Sequence, residues 1–447
     1  MFESLGAFVD HLRAQGKLVD IDEELSPDYE VAAAVRLIDQ RLGKAVLCRK
    51  VRGCGMPVVA NILARRDLLR LAFASPNDPT EEYLRRIGGS LPPEVVRAAP
   101  VHEVVHDGDF DVAKLLPLLL HHEKDAARYI SSGVTVSRDP QTGLRGMGIY
   151  RIQVCGPREL TISIGSPPVS DFLAKANATG KPLPVAIAIG LEPLSYFASV
   201  VPVAAGVDKF DAAGTLRGAP VPLVAARTQP VEVYAEAEIV LEGEMLPNTQ
   251  REDGPVGEST GYYHAGRSWA ARLTAVTHRA HPFYYALVPF AAENTLLMGV
   301  TREADLLAAL RRKFPSVRRV SLTQGSVAML AIIQAAPASK EEATAMVRAA
   351  LEGSMQVKTA ILVDADVDPH DLNDVQWALS TRFQADRDLL VLRDLPGSPI
   401  DPTATNRRTA KLGLDATRPA DQAEAFMRIA LDPAARRRVE EILARLT

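Results

Sequence analysis

The chain has 447 residues, of which 47% are hydrophobic and 24% charged, as in a globular protein of two to four domains. A formal net charge of −4 without a basic stripe argues against nucleic-acid binding, and no apolar run is long enough to span a membrane. Three cysteines without zinc-site spacing fit a reducing compartment, and the charged N-terminus does not resemble a signal peptide. We therefore expect a soluble, cytoplasmic protein with neither nucleic-acid nor membrane partners.

The first 105 residues predict a small α/β unit. Residues 2–12 carry apolar side chains at helical spacing, whereas residues 45–48 and 57–61 have the composition of short strands. From residue 106 to about 300, short β-prone segments alternate with turns, which indicates an antiparallel barrel or sandwich. These segments are residues 133–137, 148–154, 185–189 and 238–242.

Helices and strands alternate again over residues 301–425, which predicts a second α/β unit. The predicted helices are residues 303–314 and 340–352, and the predicted strands are residues 326–334 and 359–364. Residues 426–447 predict a helical tail that begins at Asp432-Pro433. The tail helix, residues 434–446, has one apolar stripe that must be buried on its own domain or on a partner, formed by Val439, Ile442, Leu443 and Leu446.

The segment from Glu252 to Tyr263 carries the clearest chemical signal. Asp253 and Glu258 flank a Gly-Pro-x-Gly sequence, which predicts a tight bend rather than a helix or strand. Such a bend can aim both carboxylates into one cavity, where one of them can hold a proton near neutral pH. This arrangement suits proton-transfer catalysis, while the alternative is a solvated acidic turn, and the segment alone leaves both open.

Four motifs resemble the signature of the UbiD-type decarboxylases, and they follow the order of the family along the chain. They are residues 148–151, residues 241–244 with 253–263, residues 363–368 with 374–388, and residues 410–417. The resemblance implies an α+β multidomain fold with a central split β-barrel of flavin-binding type, flanked by N-terminal and C-terminal α/β domains. It further implies a reversible decarboxylase that uses prenylated flavin mononucleotide and a divalent metal, and that oligomerises through its C-terminal region. A flavin prenyltransferase would supply the cofactor.

Carried over position by position, the resemblance assigns roles to seven residues, and an eighth candidate, Lys209, departs from it. Arg151 holds the substrate carboxylate, and Asp253 (where most members have Glu) and Glu258 handle proton transfer. These residue types suit the reaction, because Arg offers a planar fork to a carboxylate and an acid must protonate the carbon that loses CO2. The remaining roles are cofactor binding by Ile149 and Lys411, and substrate contact by Arg302 and by Asn294, where some members have His. We add Lys209 as a cofactor-binding candidate for the reason given below. Without the resemblance, a strand-face salt bridge is the favoured interpretation of Arg151, and a solvated surface position is an equally valid interpretation of Lys411.

The sequence departs from the family pattern at the metal ligands, where it has Gly146, Gly165 and Lys209. Hard divalent cations need oxygen ligands, which neither a glycine side chain nor an ammonium supplies. We therefore predict that no divalent metal binds. We hypothesise that Lys209 meets a phosphate or another anion directly, in space opened by the two glycines. The alternative is that Lys209 is a solvated loop residue of an inactive site.

Two functional hypotheses follow. The first is an active homo-oligomeric decarboxylase of an aromatic, heteroaromatic or α,β-unsaturated carboxylic acid, favoured by the intact Arg151, Asp253, Glu258 and Lys411. The second is a non-catalytic or cofactor-divergent subunit, paired with an active paralogue, and the missing metal ligands favour it. A bound flavin absorption band would discriminate between them.

Overall fold

The computed structural model describes residues 2–322, 326–419, 425–443 and 445. The chain forms two compact units, of which the first comprises residues 1–305 and 322–328, and the second residues 306–321 and 329–447. The finer division into four parts stays a prediction. In the described part of the chain, no helix is both long and apolar enough to cross a membrane.

The helices of the first unit follow local capping signals. Helix α1 starts after Ser4, whose hydroxyl accepts a hydrogen bond from the Ala7 amide, and α2 ends at Gly43 in a left-handed conformation. Helix α9 begins in the first unit and continues into the second. The helices are α1 (Leu5–Ala14), α2 (Glu30–Leu42), α3 (Arg66–Phe73), α4 (Pro79–Arg86), α5 (Val112–Leu115), α6 (Val169–Ala178), α7 (Pro193–Ala198), α8 (Lys209–Arg217) and α9 (Ala292–Lys313), with a 3-10 turn at Pro100–His102.

The strands of the first unit form three sheets of four, nine and three strands. Their orders are β1-β2-β3-β16, then β6-β9-β10-β15-β14-β11-β7-β8 with β5 beside β15, and β13-β12-β4. The mixed α/β prediction is confirmed, whereas closure of the nine-stranded sheet into a split barrel stays a prediction. The bounds are β1 (Leu18–Leu25), β2 (Ala45–Val51), β3 (Val58–Ala60), β4 (Glu94–Val96), β5 (Val104–His106), β6 (Tyr129–Ile130), β7 (Val134–Arg138), β8 (Arg145–Ile149), β9 (Ile152–Gly156), β10 (Glu159–Ile162), β11 (Leu183–Ile189), β12 (Pro222–Ala225), β13 (Glu232–Tyr234), β14 (Ile239–Gly257), β15 (Tyr263–His278) and β16 (Tyr284–Tyr285).

The longest strands, β14 and β15, form a hairpin that corrects the predicted bend. The Gly-Pro-x-Gly sequence lies inside β14, and the chain reverses only between Glu258 and Tyr263. The pairing with β15 shifts register between Asp253 and Val256, so the proline occupies an irregular part of the ladder. This is where sheets tolerate proline, because it cannot donate a ladder hydrogen bond.

Two other predicted elements have different bounds. The predicted strand over residues 148–154 is two strands, β8 and β9, which are interrupted at Tyr150 and Arg151. Helix α9 begins at Ala292, 11 residues before the predicted start at residue 303. Both differences matter for function, because the interruption carries Arg151 and the first turns of α9 carry Asn294 and Arg302.

The second unit contains a five-stranded sheet of order β17-β18-β19-β21-β20, as the alternation of helices and strands predicts. Trp377 of α11 has the guanidinium groups of Arg382 and Arg428 over its ring, 4.7 and 4.4 Å from the centroid. The elements are β17 (Arg319–Leu322), β18 (Leu330–Gln334), α10 (Lys340–Gly353), β19 (Thr359–Val363), α11 (Leu372–Arg382), α12 (Ala385–Asp388), β20 (Leu389–Pro396), β21 (Arg408–Ala416) and α13 (Pro433–Leu443).

The tail helix α13 confirms the predicted helix start, and none of its residues is buried. Val439, Ile442 and Leu443 of the predicted apolar stripe are 46–54% exposed, while Leu446 lies outside the described residues. Arg428, which precedes the helix, binds Asp374 of α11 and so attaches this part of the chain to the rest of the second unit.

Candidate active site

The interruption between β8 and β9 places Arg151 between two carboxylates. Its Nε and Nη2 atoms lie 3.0 and 2.8 Å from Asp253 Oδ2, and its Nη1 binds Glu258 Oε1. Glu258 follows β14 directly, at the start of the hairpin turn, so the strand fixes the spacing of the two acids. Arg151 therefore bridges two acids whose own chain segment is a rigid hairpin.

The two acids lie in different surroundings. The side chain of Asp253 is 1% exposed, and it accepts hydrogen bonds from Ser268 as well as Arg151, with the Tyr129 hydroxyl 3.2 Å from Oδ1. The side chain of Glu258 is 29% exposed and has its carboxylate at the wall of a cavity. Asp253 is thus fixed behind Arg151, whereas Glu258 can reach a bound molecule.

A cavity of about 470 Å³ lies in the first unit beside this cluster. Six of the eight predicted site residues line it, namely Ile149, Arg151, Lys209, Glu258, Asn294 and Arg302. The Asn294 Oδ1 atom is buried without a hydrogen-bond partner among the described residues, and Arg302 donates to the Met298 carbonyl at 2.5 Å. Both side chains therefore have hydrogen-bonding capacity left for a bound molecule.

Lys209 provides a buried cation in the same cavity. It is the first residue of α8 and only 6% exposed, and its Nζ donates to the carbonyls of Ser199 at 2.7 Å and Met147 at 3.1 Å. Within the described residues it forms no ion pair with a carboxylate. The alternative of a solvated loop lysine is therefore wrong. Burial lowers the pKa of Lys209 to about 8, because a desolvated ammonium is disfavoured.

This shift predicts a pH dependence of stability. The unfolded chain keeps the lysine proton up to a pKa of about 10.5, whereas the folded protein releases it near 8, so unfolding takes up a proton between these values. Below pH 8 the buried ammonium of Lys209 lowers the free energy of unfolding, and this cost disappears as the pH rises and the lysine loses its proton. From pH 7.5 to 9.5, the unfolding free energy of flavin-free protein should rise by about 1–2 kcal/mol relative to Lys209→Met in urea titrations. The unfolding free energy of the exposed-lysine variant Lys181→Met should change with pH as that of the wild type does. If the unfolding free energies of the wild type and Lys209→Met changed in parallel with pH, the assignment of this pH dependence to Lys209 would be contradicted.

Family models for the N-terminal, Rift-related and C-terminal domains of 3-octaprenyl-4-hydroxybenzoate carboxy-lyase match residues 9–91, 94–291 and 295–416. The chain belongs to the UbiD family. As a UbiD-family carboxy-lyase, it is 32% identical over 443 residues to phenolic acid decarboxylase of Streptomyces sp. (strain D7), covering 94% of this chain and 92% of the relative. It is also 32% identical over 426 residues to anhydromevalonate phosphate decarboxylase of Methanosarcina mazei, with 94% and 97% coverage.

Solved UbiD-class structures have the same fold. HmfF from Pelotomaculum thermopropionicum, in complex with FMN, superposes with a TM-score of 0.92 at 35% identity, covering 96% of this chain and 97% of that chain. An evolved dimeric form of HmfF in complex with prFMN gives a TM-score of 0.87 at 34% identity, with the same coverage. Both structures contain flavins, and this agrees with the predicted cofactor.

The divalent metal implied by UbiD-family membership does not fit the residues present. A Cβ atom on Gly146 would lie 2.6 Å from atoms of both Phe172 and Pro168, so a ligand side chain has no room there. The described residues contain no group of three or more His, Cys, Asp or Glu side chains that could hold a metal ion. The expectation that both glycines open space is wrong for Gly146, which Phe172 and Pro168 crowd, whereas Gly165 faces open space.

Lys411, the remaining predicted site residue of this UbiD-family chain, does not line the cavity. It lies in β21 of the second unit and is 2% exposed, so the solvated alternative is wrong. Its Nζ donates to the carbonyls of Ser354 at 2.6 Å and Leu351 at 2.8 Å. These contacts connect β21 to the end of α10, and cofactor binding by Lys411 stays a prediction.

Sequence reasoning missed the residues that hold Asp253, chiefly Ser268 and Tyr129. Ser268 lies on β15 two residues beyond Gly266, the partner of Asp253 across the hairpin. Diagonal neighbours across a sheet are within contact distance, so recognising the hairpin would have identified Ser268. Tyr129 lies 124 positions before Asp253 and makes its contact only through the sheet, which leaves no local signal.

Proposed function

We propose that this protein is a reversible decarboxylase of an aromatic, heteroaromatic or α,β-unsaturated carboxylic acid, and that it uses prenylated FMN without a divalent metal. The observation that carries the proposal is Arg151, which bridges a buried Asp253 and an accessible Glu258 at the wall of one cavity. The nine-stranded sheet that carries these residues corresponds, in this proposal, to the split β-barrel.

Arg151 is the proposed anchor of the substrate carboxylate. Asp253 occupies its Nε and Nη2 atoms, which fixes the plane of the guanidinium. The Nη1 atom binds Glu258, so an incoming carboxylate would replace Glu258 there and release it toward the substrate. Charge-assisted contacts of this kind orient the carboxylate as well as bind it. Asn294 and Arg302 are proposed to contact the rest of the substrate.

Glu258 is the proposed proton donor. Loss of CO2 leaves an electron pair on carbon, and that carbon must gain a proton to give the product. When bound, prenylated flavin supplies the electron sink that makes this loss feasible. Glu258 has the only carboxylate among the residues that line the described cavity, and so it is the acid positioned to deliver the proton. In the reverse direction it would remove the same proton.

The cofactor fits the charge of the cavity. A buried ammonium without a carboxylate partner in the described residues calls for an anion, and the phosphate of FMN is one. Lys209 and Ile149 would hold the cofactor, and a flavin prenyltransferase would supply it. The test is to produce the protein together with such an enzyme and to screen aromatic acids for CO2 release and product deuteration in D2O. Arg151→Lys should lose activity, because an ammonium cannot replace the planar fork.

The alternative is a non-catalytic or cofactor-divergent subunit that acts beside an active paralogue. The crowded Gly146 position and the absence of a metal-ligand cluster among the described residues favour it. Absorption spectroscopy of the co-produced protein separates the two proposals. A flavin band with turnover supports the decarboxylase, whereas colourless protein that is inactive alone and active with a paralogue supports the subunit.

The tail is proposed to mediate homo-oligomerisation. Helix α13 presents Val439, Ile442 and Leu443 to solvent, and a terminal helix with such a stripe needs a surface to bury it. Truncation after Asp432 should therefore lower the mass measured by light scattering. Ile442→Glu should also lower this mass, whereas the control Arg437→Glu on the same helix should leave it unchanged. An unchanged mass in both the truncation and Ile442→Glu would refute this role.

A further inference from the structure

The hairpin turn that carries Glu258 is held by a loop that precedes β6. This loop, His122–Ala126, is called the clamp below. The Ala126 amide donates to the Pro255 carbonyl at 2.7 Å, and the Gly257 amide donates to Asp125 Oδ1 at 2.8 Å. On the other side of the turn, the Lys124 amide donates to the Tyr263 hydroxyl at 3.1 Å. The clamp thus binds residues on both sides of Glu258.

Asp125 is the centre of the clamp. Its side chain is fully buried, and its second oxygen, Oδ2, accepts from the His122 amide at 2.9 Å. The Asp125 carboxylate therefore links the backbone of the clamp to the backbone of Gly257, the residue directly before Glu258. Burial alone would raise the pKa of Asp125, yet the contacts from His122 and Gly257 hold it below its usual value. The carboxylate consequently stays charged, and its bond to Gly257 is charge-assisted.

His122 adds a steric constraint at the same point. A Cβ atom on Gly257 would lie 2.3 Å from His122 Nδ1, so the imidazole ring lies directly against the glycine backbone. Gly257 has no left-handed backbone conformation, and the three atoms nearest to such a Cβ all belong to the His122 ring. The ring therefore leaves no room for a side chain at residue 257, while Asp125 holds the amide of the same residue by a hydrogen bond.

We infer that Asp125 is a positioning residue for catalysis, which fixes Glu258 relative to Arg151 by holding the Gly257 amide. This inference rests on the proposed role of Glu258. Asp125 does not line the cavity, and it acts through the backbone rather than on the substrate. Proton transfer depends steeply on geometry, and a displacement of about 1 Å can lower a rate about 100-fold.

The test compares Asp125→Ala with the exposed-residue control Asp109→Ala in flavin-loaded protein. Asp125→Ala should lower kcat about 10- to 100-fold and change KM little, because the substrate anchor is untouched. Gly257→Ala should reproduce this loss, and the double variant His122→Ala/Gly257→Ala should recover most of it, since the removed ring makes room for the Cβ.

Hydrogen exchange gives a readout that needs no turnover. Amides of residues 256–263 should exchange at least about tenfold faster in Asp125→Ala than in the wild type, while those of α2 should not change. Wild-type kcat in Asp125→Ala, or unchanged exchange in this segment, would overturn the positioning role. A wild-type protein that turns over no acid would instead overturn the proposed function itself.

Discussion

Replacing Glu258 with glutamine is expected to lower turnover roughly 10²–10⁴-fold while the protein stays folded, because the amide cannot donate the required proton. The side chain is 29% exposed and makes its ion pair at the cavity wall, so its loss disturbs little packing. Steady-state CO2 release measures the loss of turnover, and thermal unfolding of the same variant shows whether it stays folded. The matched control is Glu252→Gln, because Glu252 lies on β14, the strand that Glu258 follows, and has an 82% exposed side chain. Undiminished turnover in Glu258→Gln would remove Glu258 from the mechanism.

Asp253→Asn should differ from Glu258→Gln in a diagnostic way. Asp253 is buried and holds Arg151, so its neutralisation leaves the partly buried guanidinium with Glu258 as its remaining carboxylate partner. We expect a loss of turnover together with a loss of several kcal/mol, about 3–5, in the free energy of unfolding. Comparing the two variants in urea titrations separates the acid that reacts from the acid that positions Arg151. Equal stability of both variants would contradict this division of roles.

Lys209→Met is expected to weaken FMN binding about 10- to 150-fold, the equivalent of about 1.5–3 kcal/mol for a charge-assisted hydrogen bond. Riboflavin has the same ring system and lacks the phosphate, so its affinity should be unchanged within about twofold. Fluorescence titration with both flavins measures this difference. Lys181→Met provides the control for the loss of a lysine from an exposed position.

The wild-type protein should bind FMN equally well with and without a chelator, and elemental analysis of it should find no stoichiometric Mn or Mg. These results are expected because Phe172 and Pro168 crowd the Gly146 position and an ammonium stands at Lys209. One divalent ion per chain, or equal FMN affinity in Lys209→Met, would refute the replacement of the metal by lysine. Equal losses for FMN and riboflavin would indicate that Lys209 acts on the shape of the cavity instead.

The family motifs predicted the site well because catalytic residues keep fixed positions relative to short sequence signatures. They identified six residues that line one cavity, including Arg151 and Glu258, although these two are 107 positions apart in the sequence. Periodicity also predicted α1, β2, β11 and α10 to within a few residues. In α1 and α10 the spacing of the apolar residues matches the buried face, whereas β2 and β11 are apolar runs with successive residues buried.

The failures have a common physical cause, which is that tertiary contacts override local preferences. Gly254-Pro255 has the composition of a bend, yet pairing with β15 extends the strand through it with a shift of register. The burial of Asp253, the crowding at Gly146 and the carbonyl partners of Lys411 all involve residues distant in sequence. A single sequence does not encode such contacts in any local pattern.

The arrangement around Trp377 also makes the protein easy to observe. The chain has two tryptophans, Trp269 on β15 in the first unit and Trp377 on α11 in the second. Each compact unit therefore carries a single tryptophan, and a Trp→Phe change in one unit isolates the tryptophan emission of the other. Because Arg428 lies over the ring of Trp377 and precedes α13, that emission is sensitive to whether the tail stays docked. The protein contains its own optical probe for assembly and for the unfolding of each unit.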